Sequence, residues 1–148
     1  MYNILVIGAT GFIGGHIAKK ALDVGWHVSG LRRNPAGIGH LQENEINWIS
    51  GNLDDYPGLV DAMTGMDIVF HAGAWYPTDQ NPANAERYVD QAAEQMKADI
   101  RATREAGIKR LVYTSSITTI GLPPADKDRF ANEDDVYIPG TFPGNAYY

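Results

Sequence analysis

Short apolar runs of strand length alternate along this chain with longer stretches whose apolar positions recur at helical spacing. Residues 4–7 (Ile4, Leu5, Val6, Ile7) form an unbroken apolar run that ends at Gly8, as expected of a parallel strand covered on both faces. Over residues 11–24 the positions Phe12, Ile13, Ile17, Ala18, Ala21 and Leu22 mark one face of a helix, and Gly25 is a fitting stop. Further strands are predicted over residues 27–31, 46–50, 67–70 and 110–115. A helix is predicted over 56–63, with Asp54 or Asp55 near its start as the cap. A long helix is predicted over 82–106, with Pro82 suited to its first turn and Gly107 to its end. Five strands alternating with helices call for an α/β fold built on a parallel sheet with right-handed crossovers. Residues 121–148 differ: they carry Pro123, Pro124, Pro139 and Pro143, have few periodic apolar positions, and read as loop.

Composition narrows the classes of function. The chain has 148 residues, 44% of them hydrophobic, enough for one globular domain with a core. A net charge of −6 argues against nucleic acid or an anionic membrane as the main partner. The absence of cysteine excludes disulfides and thiolate metal sites. No apolar run approaches the roughly 18 residues of a membrane span, and the apolar N-terminus lacks the basic lead of a signal peptide. The expectation is a cytoplasmic protein. No metal site is expected either, because His71 has no His or Glu partner at helical spacing and His16, His27 and His40 fall on other elements.

The segment Gly8-Ala9-Thr10-Gly11-Phe12-Ile13-Gly14 joins the first strand to the first helix. Glycines here permit a tight turn at Gly8, close approach of backbone to a pyrophosphate at Gly11, and close helix-on-strand packing at Gly14. The N-terminus of the helix presents N–H groups and a partial positive charge to phosphates. The reading is a dinucleotide-binding turn, with a plain strand-to-helix turn as the competing one.

With these residues the sequence resembles the extended short-chain dehydrogenase/reductases, the group of sugar-nucleotide epimerases and dihydroflavonol reductase-like enzymes. Gly51-Asn52-Leu53-Asp54 is similar to the family's Gly-Asp-Leu-x-Asp stretch, whose second and third residues sit at the adenine. His71-Ala72-Gly73-Ala74 resembles its His-x-Ala-Ala segment beside the cofactor ribose. Residues 108–116, ending Thr114-Ser115-Ser116, resemble its fifth strand, which leads to the catalytic Ser or Thr. The resemblance implies a Rossmann-type doubly wound parallel sheet. It implies a NAD(P)-binding domain over residues 1–120 and, over 121–148, a segment leading to the catalytic tyrosine. There are departures. Asn52 stands where the family has Asp, and Ala92, Gln95 and Met96 stand where many relatives carry Asn, Gly and Thr.

The cofactor flavour follows from the second strand. NAD-binding relatives end it in an acid that hydrogen-bonds the ribose 2′-hydroxyl. Here the sequence is Leu31-Arg32-Arg33, with no carboxylate. A guanidinium can take a 2′-phosphate in a charge-assisted bond of about 1.5–3 kcal/mol, roughly ten- to hundredfold in affinity. NADP is expected, with NAD as the alternative. Arg32 aligns best with the acid's position, Arg33 is the other candidate, and solvated surface charge is the competing reading.

The resemblance places the catalytic hydroxyl at Ser116, with Thr114 near the nicotinamide ribose. The general acid/base tyrosine is Tyr147, with Tyr148 as alternative. The family's lysine, four residues on, falls past Tyr148, so cofactor binding is better supported than turnover. The expected function is that of the NADP-binding domain of an oxidoreductase acting on a carbonyl or alcohol by hydride transfer. The alternatives are a sugar-nucleotide epimerase or dehydratase and a non-catalytic dinucleotide-binding module. Its partners would be the cofactor and a small-molecule substrate, with an exposed sheet edge or helix face open to self-association.

His71 is read as a satisfied histidine at a strand end. Trp75-Tyr76-Pro77 either line a substrate pocket or cover the core. The charges of the long helix, Asp99 among them, are read mostly as a solvent face, and Glu133-Asp134-Asp135 as a solvated loop.

Overall fold

The computed structural model describes residues 1–42, 45–74, 81–116, 119–123 and 128–136. Packing divides the chain into two compact units, Met1–Trp75 with Glu94–Thr114, and Tyr76–Ala93 with Ser115–Tyr148.

The first unit holds a five-stranded sheet, all of whose pairings are parallel. Its strands are β1 (Asn3–Ile7), β2 (His27–Arg32), β3 (Asn47–Ser50), β4 (Ile68–His71) and β5 (Arg110–Tyr113). Their order is β3-β2-β1-β4-β5. The chain thus leaves β1 toward β2 and β3, then returns to the other side of β1 with β4. That reversal opens a crevice at the carboxyl ends of the strands, the general ligand position of doubly wound sheets.

Both faces of the sheet are covered, which is why β1 is apolar without alternation. Ile4 and Val6 pack with Ala18 and Ala21 of α1 (Phe12–Asp23) on one face. Leu5 and Ile7 pack with Leu59 and Met63 of α2 (Tyr56–Met63), and with Ala102 of α3 (Ala85–Glu105), on the other. The residues from Ile4 to Val6 are wholly buried.

Element ends follow local chemistry. Gly25 and Gly107 take φ of +79° and +70° just past α1 and α3. At α1, Trp26 N–H closes back on Ala21 O at 3.0 Å, and at α3, Ile108 N–H closes on Thr103 O at 3.0 Å. Asp55, one of the two expected caps, is the N-cap of α2, its carboxylate accepting from Gly58 N–H at 3.2 Å. The long helix is preceded by a 3₁₀ turn at Pro82–Asn84. The predicted fifth strand is shorter than expected, because Thr114 makes one last bond to His71 O and the chain then leaves the sheet.

In the second unit Ile120 bridges Val136 antiparallel. Asp135 corrects the expectation of a solvated acidic loop: it is buried, and Arg129 holds it with two bonds at 2.6 and 2.7 Å. That guanidinium, helped by the Asn132 N–H, keeps the Asp135 carboxyl below the usual carboxylate range. Glu133 and Asp134 are exposed as expected.

Candidate functional site: a cleft at the carboxyl ends of the first strands

The site is built on the turn that ends β1. Gly8 has φ +85°, and a Cβ there would stand 2.7 Å from Ala72 O and 2.8 Å from Gly73 N, so only glycine fits. A Cβ at Gly14 would run into Gly8 O and lie 3.0 Å from Ala9 N, which is how closely α1 approaches the end of β1. Gly11 is the N-cap of α1, with no side chain capping it. Among the described residues, the first N–H groups of α1 therefore have neither an intrahelical acceptor nor a side-chain cap. Phe12 and Ile13, in that first turn, are exposed.

A cleft opens beside this turn. Gly8 and Thr10 line it from the turn, Arg32 and Arg33 from the end of β2, Asn52 and Leu53 from the loop after β3, and Gly73 and Ala74 from the end of β4. Eight of the residues expected to hold cofactor are thus brought to one cleft. Ala72 packs its backbone against Gly8, and Thr114 N–H donates to His71 O at 2.9 Å beside that strand end. Ile7, Leu31, Gly51, Asp54 and Gln95 also line the cleft and were not expected from the sequence.

The two arginines differ in setting. Arg32 is partly buried, its guanidinium 4.9 Å from the centroid of the Trp48 ring on β3. Gly30, paired with Trp48 in the sheet, makes room: a Cβ there would lie 2.9 Å from the indole. Arg33 is exposed at the cleft edge.

A buried polar chain leads from β4 to Gln95, which lines the cleft. His71 Nε2 and Asp99 Oδ2 lie 2.9 Å apart, both residues about 2% exposed. Gln95 Nε2 donates to Asp99 Oδ1 at 3.1 Å and to Leu53 O at 2.8 Å. Thr103 Oγ1 donates to the Asp99 carbonyl at 2.7 Å. Asp99 therefore corrects the expectation that it belongs to a solvent face, since it is the buried partner of His71. His71 is bonded as expected through Nε2, while its Nδ1 has no partner among the described residues.

Asn52 has a local task. Its Oδ1 accepts from Asp54 N at 2.7 Å and from Asp55 N at 3.1 Å, forming the turn that leads into α2. Ser116 belongs to the second unit and is exposed, its carbonyl accepting from Thr119 N–H at 3.0 Å and Thr119 Oγ1 at 2.7 Å. Tyr147, Tyr148 and Trp75-Tyr76-Pro77 lie outside the described residues. No group of three or more His, Asp or Glu that could hold a metal ion occurs among the described residues. No helix among the described residues is long and apolar enough to cross a membrane.

A turn that excludes side chains, an uncapped helix N-terminus and two guanidiniums at the end of the neighbouring strand form a donor set suited to the phosphates of a dinucleotide. The protein class is thus a dinucleotide-binding α/β domain. The sequence matches the NAD(P)H-binding family over residues 8–137, and the chain belongs to that family. It is 36% identical over 128 residues to cinnamoyl-CoA reductase 1 of Petunia hybrida, covering 82% of this chain and 37% of that protein. It is 29% identical over 143 residues to dihydroflavonol 4-reductase of Zea mays, covering 88% of this chain and 39% of that protein. A short-chain dehydrogenase/reductase superfamily protein from Agrobacterium tumefaciens, solved with bound NAD, is similar in structure. Its TM-score is 0.63 at 29% identity, over 80% of this chain and 34% of that one. The chain spans less than two-fifths of the length of each of these proteins. The cofactor class is NAD(P), as the motifs implied.

Proposed function

We propose that this chain is the NADP-preferring cofactor domain of a reductase acting on a carbonyl or alcohol substrate, of the kind its reductase relatives represent. The observation that carries the cofactor preference is that both Arg32 and Arg33 line the cleft at the end of β2. That is where a NAD site needs a carboxylate. A 2′-phosphate there meets two guanidiniums and no acid from β2, and Trp48 holds one of them in place. The N-terminus of α1 and the Gly8 turn take the pyrophosphate. When bound, the nicotinamide ring donates or accepts the hydride. In the same reading Ser116 hydrogen-bonds the substrate oxygen and Tyr147 transfers its proton, with Thr114 beside the nicotinamide ribose.

The test is calorimetric titration with NADPH and NADH. NADPH is expected to bind at least tenfold more tightly than NADH. Arg32→Ala and Arg33→Ala are each expected to weaken NADPH by roughly ten- to hundredfold while leaving NADH within a few-fold. Equal affinity of the unaltered protein for both cofactors would overturn the NADP reading.

A further inference from the structure

We infer that Gln95 is the residue that recognises the exocyclic amine of adenine in this cleft. The inference rests on the cofactor reading above.

In a doubly wound sheet the pyrophosphate sits at the turn after β1 and the adenosine ribose at the end of β2, so the base lies beyond, toward β3. The lining there includes Asn52 and Leu53 from the loop after β3 and Gln95 from α3. Adenine offers two hydrogens on its exocyclic amine, and a selective site needs an acceptor for one of them.

Asn52 does not supply it from its side chain. Asn52 Oδ1 already accepts two backbone N–H groups, those of Asp54 at 2.7 Å and Asp55 at 3.1 Å. An amide oxygen has two lone pairs, so both are engaged, and what remains is the Nδ2 donor.

Gln95 is arranged the other way. Leu53 O can only accept, so the atom 2.8 Å from it is the nitrogen, Nε2. The second Nε2 hydrogen goes to Asp99 Oδ1 at 3.1 Å. Both donors are committed, and Oε1 has no partner among the described residues. Asp99 is itself held by His71 at 2.9 Å, and both are buried, so the amide cannot reverse without placing its oxygen against the Leu53 carbonyl. The buried pair thus serves to lock the amide of Gln95, a cleft-lining residue, with Oε1 as its open acceptor, and its bond to Leu53 O ties α3 to the loop after β3.

The experiment compares NADPH with the analogue whose adenine is replaced by unsubstituted purine, which lacks the amine but keeps the ring nitrogens. Binding is measured by calorimetry to the unaltered protein and to Gln95→Leu and Gln95→Met, with folding checked by circular dichroism. The unaltered protein is expected to prefer NADPH by about three- to tenfold, the worth of one neutral hydrogen bond. In the variants that ratio is expected to fall to within twofold of unity. An unchanged ratio in a folded variant would overturn the inference while leaving the cofactor reading intact. Equal affinity of the unaltered protein for the two ligands would do the same even if neither variant folds. No binding of NADPH at all would overturn both.

Discussion

His71 Nε2 lies 2.9 Å from Asp99 Oδ2 in the core between β4 and α3, both residues about 2% exposed. A buried polar pair of this kind contributes little relative to an apolar pair of the same shape, but losing one partner leaves the other desolvated and unpaired. Asp99→Leu is therefore expected to lower unfolding stability by about 1–3 kcal/mol. The double variant Asp99→Leu with His71→Phe is expected to recover most of that loss. Urea denaturation of the four proteins of this cycle measures both. A double variant no more stable than Asp99→Leu alone would show that the pair is not the source of the cost.

Trp48 and Arg32 define a second prediction. The guanidinium stands 4.9 Å from the indole centroid, a contact worth about 0.5–1 kcal/mol at partly exposed sites. Trp48→Leu keeps an apolar side chain on β3 but removes the ring on which Arg32 rests. It is expected to weaken NADPH by roughly two- to fivefold and to leave NADH unchanged, by the same titration. A parallel loss for both cofactors would point instead to damage of the sheet.

Glycine substitutions separate two kinds of constraint. At Gly14 an added Cβ meets Gly8 O and stands 3.0 Å from Ala9 N, backbone that cannot give way without moving α1 off β1. At Gly65, with φ +80°, nothing lies within 4 Å of the added atom, so Ala there faces only the strain of a left-handed conformation. That strain costs about 1–2 kcal/mol. Gly14→Ala is expected to destabilise by more than Gly65→Ala in thermal unfolding, and to weaken NADPH binding, which Gly65→Ala leaves unchanged. Equal effects of the two would mean that the turn relaxes around the new methyl.

The fold was legible because its signals are local and repeat. The apolar run Ile4–Ile7, the glycine at each helix end and the alternation of elements each report one short-range preference, and they agree with one another. The cleft was legible where residues lie at strand ends, which is why Gly8, Arg32, Asn52 and Gly73 meet. Gln95 and Asp99 were obscured because they sit among exposed charges on one helix, where Glu94 and Lys97 pair at the surface. The signal that could have found them is helical spacing: positions 95, 99, 102, 103 and 106 form one stripe, and Ala102 and Ala106 on it are apolar. A polar residue within such a stripe needs a buried partner, and His71, a histidine ending an otherwise apolar strand, is that partner. Asp135 was misread for a related reason. Its partner Arg129 is six residues away, a pairing that loop conformation sets and periodicity does not report.

Tyr56 at the start of α2 donates its hydroxyl to Glu105 Oε2 at 2.6 Å near the end of α3, with the Arg101 guanidinium 5.5 Å from the ring. The hydrogen bond to Glu105 raises the phenol above its ordinary value of 10.0, because only the protonated phenol can donate to the carboxylate. A group whose folded value is raised contributes stability that is fully present below its unfolded value and lost as pH climbs through the folded one. The contribution of this bond is therefore constant at neutral pH and decays only above pH 10. The measurement is the difference in urea midpoint between the unaltered protein and Tyr56→Phe, followed from pH 7 to about 11.5. The unaltered protein is expected to be the more stable at neutral pH, with the gap closing above pH 10. Because the hydrogen bond is exposed to solvent, added salt should leave the sign unchanged and reduce only the charged part of the effect. A gap that stays constant through about pH 11 would show that ionisation of the Tyr56 phenol is not linked to stability and would overturn the prediction.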